Sequence, residues 1–378
     1  MCDITHNYLS LFLFVITPRK SVEDLQELIK SVRDRGFPYV GREEKERNWS
    51  SYDQAQINEI AEVLETIRDI VDEASSRIET NKRGPGRPAV PPSDVVKVML
   101  MQAYFGMPNR VAQGFLKLFG EKLGIGTRFS YKTIERGYDP DRTKEVLDEV
   151  MRIINDRGNS MEKVFSTDGT GDPTSMKINY ETRRREQRER KGNKSDYFPH
   201  TRGKHDFQYS VFSTGIHTKI IAGFSITEDH SIGELSHFPA VMAQTAEMCP
   251  SMEVMLGDAL YSSRNACSTV DSYGVRPYFL PKSNVKFSAK GVESWKMMLY
   301  GFMDNTQEWL ETYHMRSISE SVNSMIKRKM PFKIRKRLPN RKRMEEYLKI
   351  NAHNLRQLNY LKHTNPELLK TYEGINSK

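Results

Sequence analysis

Cysteine is scarce. Only Cys2, Cys249 and Cys267 occur in the chain, too few and too irregularly spaced for a disulfide framework or a thiolate metal site. That usage fits a reducing interior, and a cytoplasmic, nucleoid-associated location is expected. Long apolar runs are missing as well. The longest, LSLFLFVI near the start, follows an acidic residue and lacks a basic flank and a small-residue cleavage site. It is expected as a buried helix or strand, and a membrane is not an expected partner. There is no P-loop, so a nucleotide cofactor is not expected either.

What the chain does carry is clustered positive charge. Its 58 Lys and Arg exceed its 49 Asp and Glu by nine, a modest excess concentrated in two runs. These are RRREQRERKGNK at 183–194 and KRKMPFKIRKRLPNRKR at 327–343. Such runs serve either as solvated faces or as phosphate contacts. Both flank segments rich in candidate carboxylates, which favours phosphate and therefore a nucleic-acid partner.

The pattern along the chain predicts helices at 21–35 and 53–79, then a Gly/Pro break in NKRGPGRPAVPP. Within that break, Gly86-Arg87-Pro88 is either a plain tether or a hook that places Arg87 in a narrow minor groove. Helices at 93–105 and 109–123, a glycine turn and SYKTIERGY then read as a helix-turn-helix or as an ordinary bundle. In the first reading Tyr131, Lys132, Glu135 and Arg136 face DNA. Beyond 163 the pattern becomes mixed. KVFSTDGTG is a predicted strand ending at Asp168, FQYSVFST and KIIAGFSIT a strand pair, MEVMLGDALYS a strand ending at Asp258, and RPYFLP a further strand. Helices are predicted over GELSHFPAVMAQTAEM and at 291–303 and 306–329. The expected fold class is α/β, a mixed sheet preceded by an all-helical region.

In YHMRSISESVNSMIKRK (313–329), a turn of about 100° per residue puts Tyr313, Arg316 and Lys327 within about 40° of Glu320 on one helix. The strip is either a salt-bridged surface or an acid flanked by cations and a phenol, with Met315, Ile318, Val322 and Met325 toward the core. Carboxylates such as Asp168, Asp258 and Glu320 can converge on Mg²⁺ or Mn²⁺, while nearby cations hold phosphate. Asp172 is a turn residue or a substitute ligand, and Asp168 is preferred because it directly follows the apolar strand. Asp229, His230, Glu234 and His237 fit no zinc spacing and read as a helix-capping loop. Trp295 and Trp309 are expected in the core rather than stacked on a base. Lys204 and His205 precede a strand and are further candidate DNA contacts.

The order Tyr313, Arg316, Glu320, Lys327 matches Y-x2-R-x3-E-x6-K, and on that motif the chain resembles DDE-type insertion-sequence transposases. STDGTG and LGDALYSSRN resemble the segments around that family's two aspartates, with weaker similarity in GRPAVPPSDVVKVMLMQAY and RFSYKTIERGY. The resemblance spans about 164–330. It implies a ribonuclease-H-like core with Asp168 on the first strand, Asp258 on the fourth and Glu320 on the last helix. It further implies two Mg²⁺ (or Mn²⁺) ions per active site and a partnership with double-stranded DNA, both terminal inverted repeats and target. A homodimer in a synaptic complex is also implied. Tyr313, Arg316 and Lys327 carry over as phosphate grips, and the interval between Asp258 and Glu320 is too short for the large β-rich insertion of some members.

The expected organisation is a helical region at 1–80, a basic linker at 81–92 and a helical, DNA-binding segment at 93–160. A catalytic domain at 161–330 and a basic helical tail at 331–378 follow. Alternatives are a retired, transposase-derived DNA-binding protein or a simple ribonuclease-H-like nuclease.

Overall fold

The structure, a computed structural model, describes residues 22–42, 46–78, 90–174, 207–227, 232–285, 292–330 and 333–370. The early apolar run, Arg87, Lys204, His205, Asp229, His230 and the 183–194 basic run lie outside the described residues. Six helices come first: α1 (Val22–Arg33), α2 (Trp49–Arg77), α3 (Pro92–Phe105), α4 (Asn109–Phe119), α5 (Tyr131–Gly137) and α6 (Pro140–Gly158). Local signals set their limits. The Asn48 side chain accepts from Ser51 N–H at the start of α2, and Gly106 ends α3 in the left-handed region at φ 67°. Nearly every residue of α3 from Val95 to Ala103 is buried, as befits a helix packed on all sides.

The first strand, β1, spans Val164–Pro173, so Asp168 stands within it and not at its end. The reason lies in unequal neighbours. On one side β2 (Phe207–Gly215) pairs antiparallel along the whole strand, from Phe165 opposite Gly215 to Pro173 opposite Phe207. On the other side β4 (Val254–Gly257) pairs parallel only from Val164 to Ser166. Asp168 therefore lies in the stretch of β1 past Ser166, where only β2 pairs with it.

The rest follows in order: β3 (Ile221–Thr227), α7 (Glu234–Met248), β4, α8 (Arg264–Asp271), β5 (Arg276–Phe279), α9 (Glu293–Asp304), α10 (Thr306–His314), α11 (Ser317–Lys329) and α12 (Pro339–Thr364). The five strands form one mixed sheet in the order β3-β2-β1-β4-β5. Helices cover both faces. The α2, α3, α6 and α12 layer shares a core with Phe212, Ile220 and Ile221, while α1 and α7 to α10 close over Phe165, Met255 and Phe279.

The stretch expected as a basic tail is helical but not solvated. Buried residues of α12 run almost without interruption from Met344 to Leu361, and the helix packs against α2, α3 and α6. Some of its buried polar groups are tied to the sheet. Asn354, fully buried, accepts from Ile221 N–H at 2.9 Å and donates to Ile221 C=O at 2.8 Å. Ile221 opens β3, the edge strand, so one side-chain amide substitutes for a missing strand neighbour. Asn354→Ala strands the Ile221 N–H and leaves its C=O only the longer bond from Asn155 at 3.3 Å, and is expected to lower the unfolding free energy by about 1–3 kcal/mol, read from urea midpoints.

Candidate active site

Two aspartates stand on adjacent strands, each two residues past the point where the β1–β4 pairing stops at Ser166 and Leu256. The parallel register runs Val164–Val254, Phe165–Met255, Ser166–Leu256, and continuing it sets Asp168 beside Asp258. Asp258 directly follows β4, and its Oδ1 accepts from Leu260 N–H at 2.7 Å, which holds the turn closed. Asp168 accepts from the Asn323 amide of α11 at 2.8 Å. Burial is the main cause that pushes its carboxyl up to about 6, followed by the negative fields of Glu234 and Glu320, with Arg316 and the Gly169 N–H acting the other way.

Glu320 reaches the same place from α11. Asp168, Gly169 and Thr170 line an open cleft of about 510 Å³ with Glu320, Asn323, Ser324, Lys327 and Arg328. Glu320 is exposed and pairs with Arg316 at 2.8 Å. The single helix expected at 306–329 is broken, however. Around Met315 and Arg316 the backbone bonds tighten to i→i+3, with Arg316 N–H to Tyr313 C=O and Ser319 N–H to Arg316 C=O, both at 3.0 Å. The serines of RSISES contribute. Ser317 Oγ donates to His314 C=O at 3.1 Å and Ser319 Oγ to Arg316 C=O at 2.8 Å, taking carbonyls that a continuous helix would use.

Tyr313 therefore belongs to α10, not to Glu320's helix, and the four-residue strip is not one helical face. Its ring is buried and stacks on Trp309 at 5.3 Å, which stacks in turn on Tyr278. Arg316 lies 5.9 Å from the Tyr313 ring centroid, so the phenol and guanidinium remain neighbours by folding rather than by helical phase. Trp295 and Trp309 are both core residues, as expected.

The structure adds a carboxylate that sequence reasoning had set aside. Glu234, in the first turn of α7, accepts from Tyr209 at 2.7 Å and from Tyr261, and it acts on Asp168. The available signal was Gly169, since a glycine inside a strand marks a close approach. Its former companion His237 bonds Ser225 instead, at 2.9 Å. Asp172 is neither a turn residue nor near the cleft. It is a buried member of β1, 3.9 Å from Lys349 of α12.

The expected helix-turn-helix residues separate into two groups. Lys132 and Arg136 are exposed and line a second, larger cleft of about 850 Å³ with Arg110, Arg335, Arg337 and Arg341. Glu135 lines the same cleft but is already paired. It accepts from Lys336 at 2.5 Å and Arg341 at 2.8 Å, while Arg341 also grips Asp139. These bonds lock α5 to the segment leading into α12, and Lys336 sits 3.6 Å from the Tyr138 ring centroid. Part of the 327–343 basic run is thus internal glue, while Arg335 and Arg337 rim the cleft.

Asp168, Asp258 and Glu320 offer oxygen donors only, the class that suits Mg²⁺ or Mn²⁺. The acids crowding Asp168 create a negative field that a divalent ion would relieve. In that sense the residues fit such ions, although no three His, Cys, Asp or Glu side chains among the described residues form a ready-made cage. No described helix is long and apolar enough to cross a membrane. The chain matches no model of a known protein family and no curated protein.

Proposed function

We propose that this chain is a DDE-type DNA transposase with a ribonuclease-H-like catalytic core. It nicks the ends of an insertion sequence and joins the freed 3′-OH to target DNA. What supports the reading is that Asp168 and Asp258 each stand two residues past the last paired residues of adjacent strands, Ser166 of β1 and Leu256 of β4. Glu320 and Lys327 of α11 line one cleft with Asp168, and Asp258 is not among its lining residues.

In this reading Asp168, Asp258 and Glu320 hold two Mg²⁺ or Mn²⁺ ions, which activate the attacking oxygen and offset charge on the leaving one when bound. The other roles fall to the chain. Asn323 orients the Asp168 carboxylate. Arg316, paired with Glu320, and Lys327 would hold phosphate beside the carboxylate that would ligate the ion. Tyr313 supports Arg316 through its ring. Lys132 and Arg136 contact the backbone of the terminal repeat farther along the duplex. Cutting and joining two ends calls for two protomers on DNA, in the cytoplasm beside the nucleoid.

The test uses a supercoiled plasmid carrying the DNA that flanks the coding sequence. Mg²⁺- or Mn²⁺-dependent nicks at paired inverted repeats are expected, followed by end joining to a second plasmid. Binding without any cutting would leave only the retired DNA-binding protein. Arg316→Ala, Lys327→Ala, Lys132→Ala and Arg136→Ala should each flatten the salt dependence of end binding by about one unit of slope. An unchanged slope returns that residue to the solvated surface.

A further inference from the structure

We propose that Glu234 is a positioning residue of this catalytic centre. Clamped by two tyrosine hydroxyls against Gly169, its carboxylate fixes the strand that carries Asp168 relative to the turn that carries Asp258. The inference rests on the functional reading above and adds a residue that the transposase signature does not contain.

Glu234 touches both aspartate-bearing segments and belongs to neither. One oxygen accepts from Tyr209 of β2 at 2.7 Å. The other accepts from Tyr261, whose N–H in turn bonds Asp258 C=O at 3.1 Å. Tyr261 is fully buried, and its hydroxyl also lies 3.4 Å from Thr167 Oγ1, next to Asp168 in sequence. Burial and the Glu234 charge push both phenols well up, so they keep their protons and stay donors.

The approach needs the glycine at 169. A Cβ there would fall 2.8 Å from Glu234 Oε2 and collide with the Tyr209 hydroxyl. Gly169 thus admits the clamp to the backbone immediately after Asp168, along the stretch where β1 has lost β4 as a neighbour. Without a brace, nothing in the sheet sets the spacing between Asp168 and Asp258 beyond Ser166. A carboxylate tied to both sides does so. It also keeps negative charge behind Asp168, which favours cation capture in front of it.

The experiment compares wild type with Glu234→Gln, Glu234→Asp and Tyr261→Phe, the last removing a hydroxyl and no charge. Single-turnover nicking of a repeat-end duplex is measured against Mg²⁺ and Mn²⁺, and Mn²⁺ affinity is measured separately by calorimetry. Glu234→Gln is expected to slow nicking in Mg²⁺ by about 100-fold, with partial recovery in Mn²⁺ and about tenfold weaker Mn²⁺ binding. End binding in Ca²⁺ should be unchanged. Glu234→Asp, one methylene too short to reach both hydroxyls, should not rescue, and Tyr261→Phe should reproduce a milder form of the defect. Folded Glu234 and Tyr261 variants with wild-type rates, metal midpoints and Mn²⁺ affinity overturn the proposal. If wild type cuts, Asp168→Ala does not and Glu234→Gln matches wild type, only the brace is lost. If wild type never cuts, the functional reading falls and takes the brace with it.

Discussion

Asp168→Ala, Asp258→Ala and Glu320→Ala should each reduce end nicking by about 10³-fold or more, a barrier increase of at least about 4 kcal/mol. End binding should stay close to wild type. The separation of the two effects follows from geometry. Asp168 is half-buried beside α11, where Asn323 bonds it, whereas Lys132 and Arg136 line a different cleft. Removing the Asp168 charge should even help the metal-free fold, because burial and two neighbouring acids hold that carboxyl at about 6. Near-normal cutting by any of the three variants removes that residue from the site.

Lys349→Met should be among the most destabilising substitutions in the chain. Lys349, Glu346 and Asp172 are all nearly inaccessible, with the ammonium 3.3 Å from Glu346 and 3.9 Å from Asp172. The Glu346 oxygens have no hydrogen-bond partner, so the lysine is the main compensation for two buried acids. Breaking a buried pair in this way costs about 3–5 kcal/mol. The pH dependence has a defined sign. Burial, then Asp172, drives the Glu346 carboxyl well above the usual carboxylate range, against the pull of Lys349. A raised acid contributes stability at low pH that is lost as pH rises from its unfolded value toward its folded one. The Lys349→Met penalty should therefore be larger at pH 8 than at pH 5, and Glu346→Gln in the same background should recover much of the difference. Equal penalties at the two pH values, from urea midpoints, would rule out the electrostatic account.

Local chemistry made some of this legible in the sequence. The apolar runs before Asp168 and Asp258 identified buried strands, and caps and glycines marked helix limits to within a few residues. Helical phase was a poorer guide, because it assumes an unbroken helix. The serines of RSISES shift carbonyls away from the i→i+4 ladder, and Tyr313 ends on a separate helix. The function of Glu234 depends on Tyr209 and Tyr261, which converge only after β2, α7 and the turn past β4 have assembled. The α12 helix looked like a tail because Lys342, Glu346, Lys349 and Asn354 are polar. Lys349 reaches Asp172 and Asn354 reaches Ile221, both far away in the chain, and hydropathy alone does not distinguish a matched interior polar group from a solvated one.

The central position of α12 has a consequence for biosynthesis. Thr66 on α2 and Asn359 on α12 bond across 293 positions, so a ribosome exposes α2, α3 and α6 with their inner surfaces uncovered while the sheet is still being translated. The Arg335–Arg341 wall of the larger cleft leaves the exit tunnel late, and α5 has nothing to lock onto until then. A nascent chain thus presents half of that cleft until residues 335–341 have emerged and folded against α5.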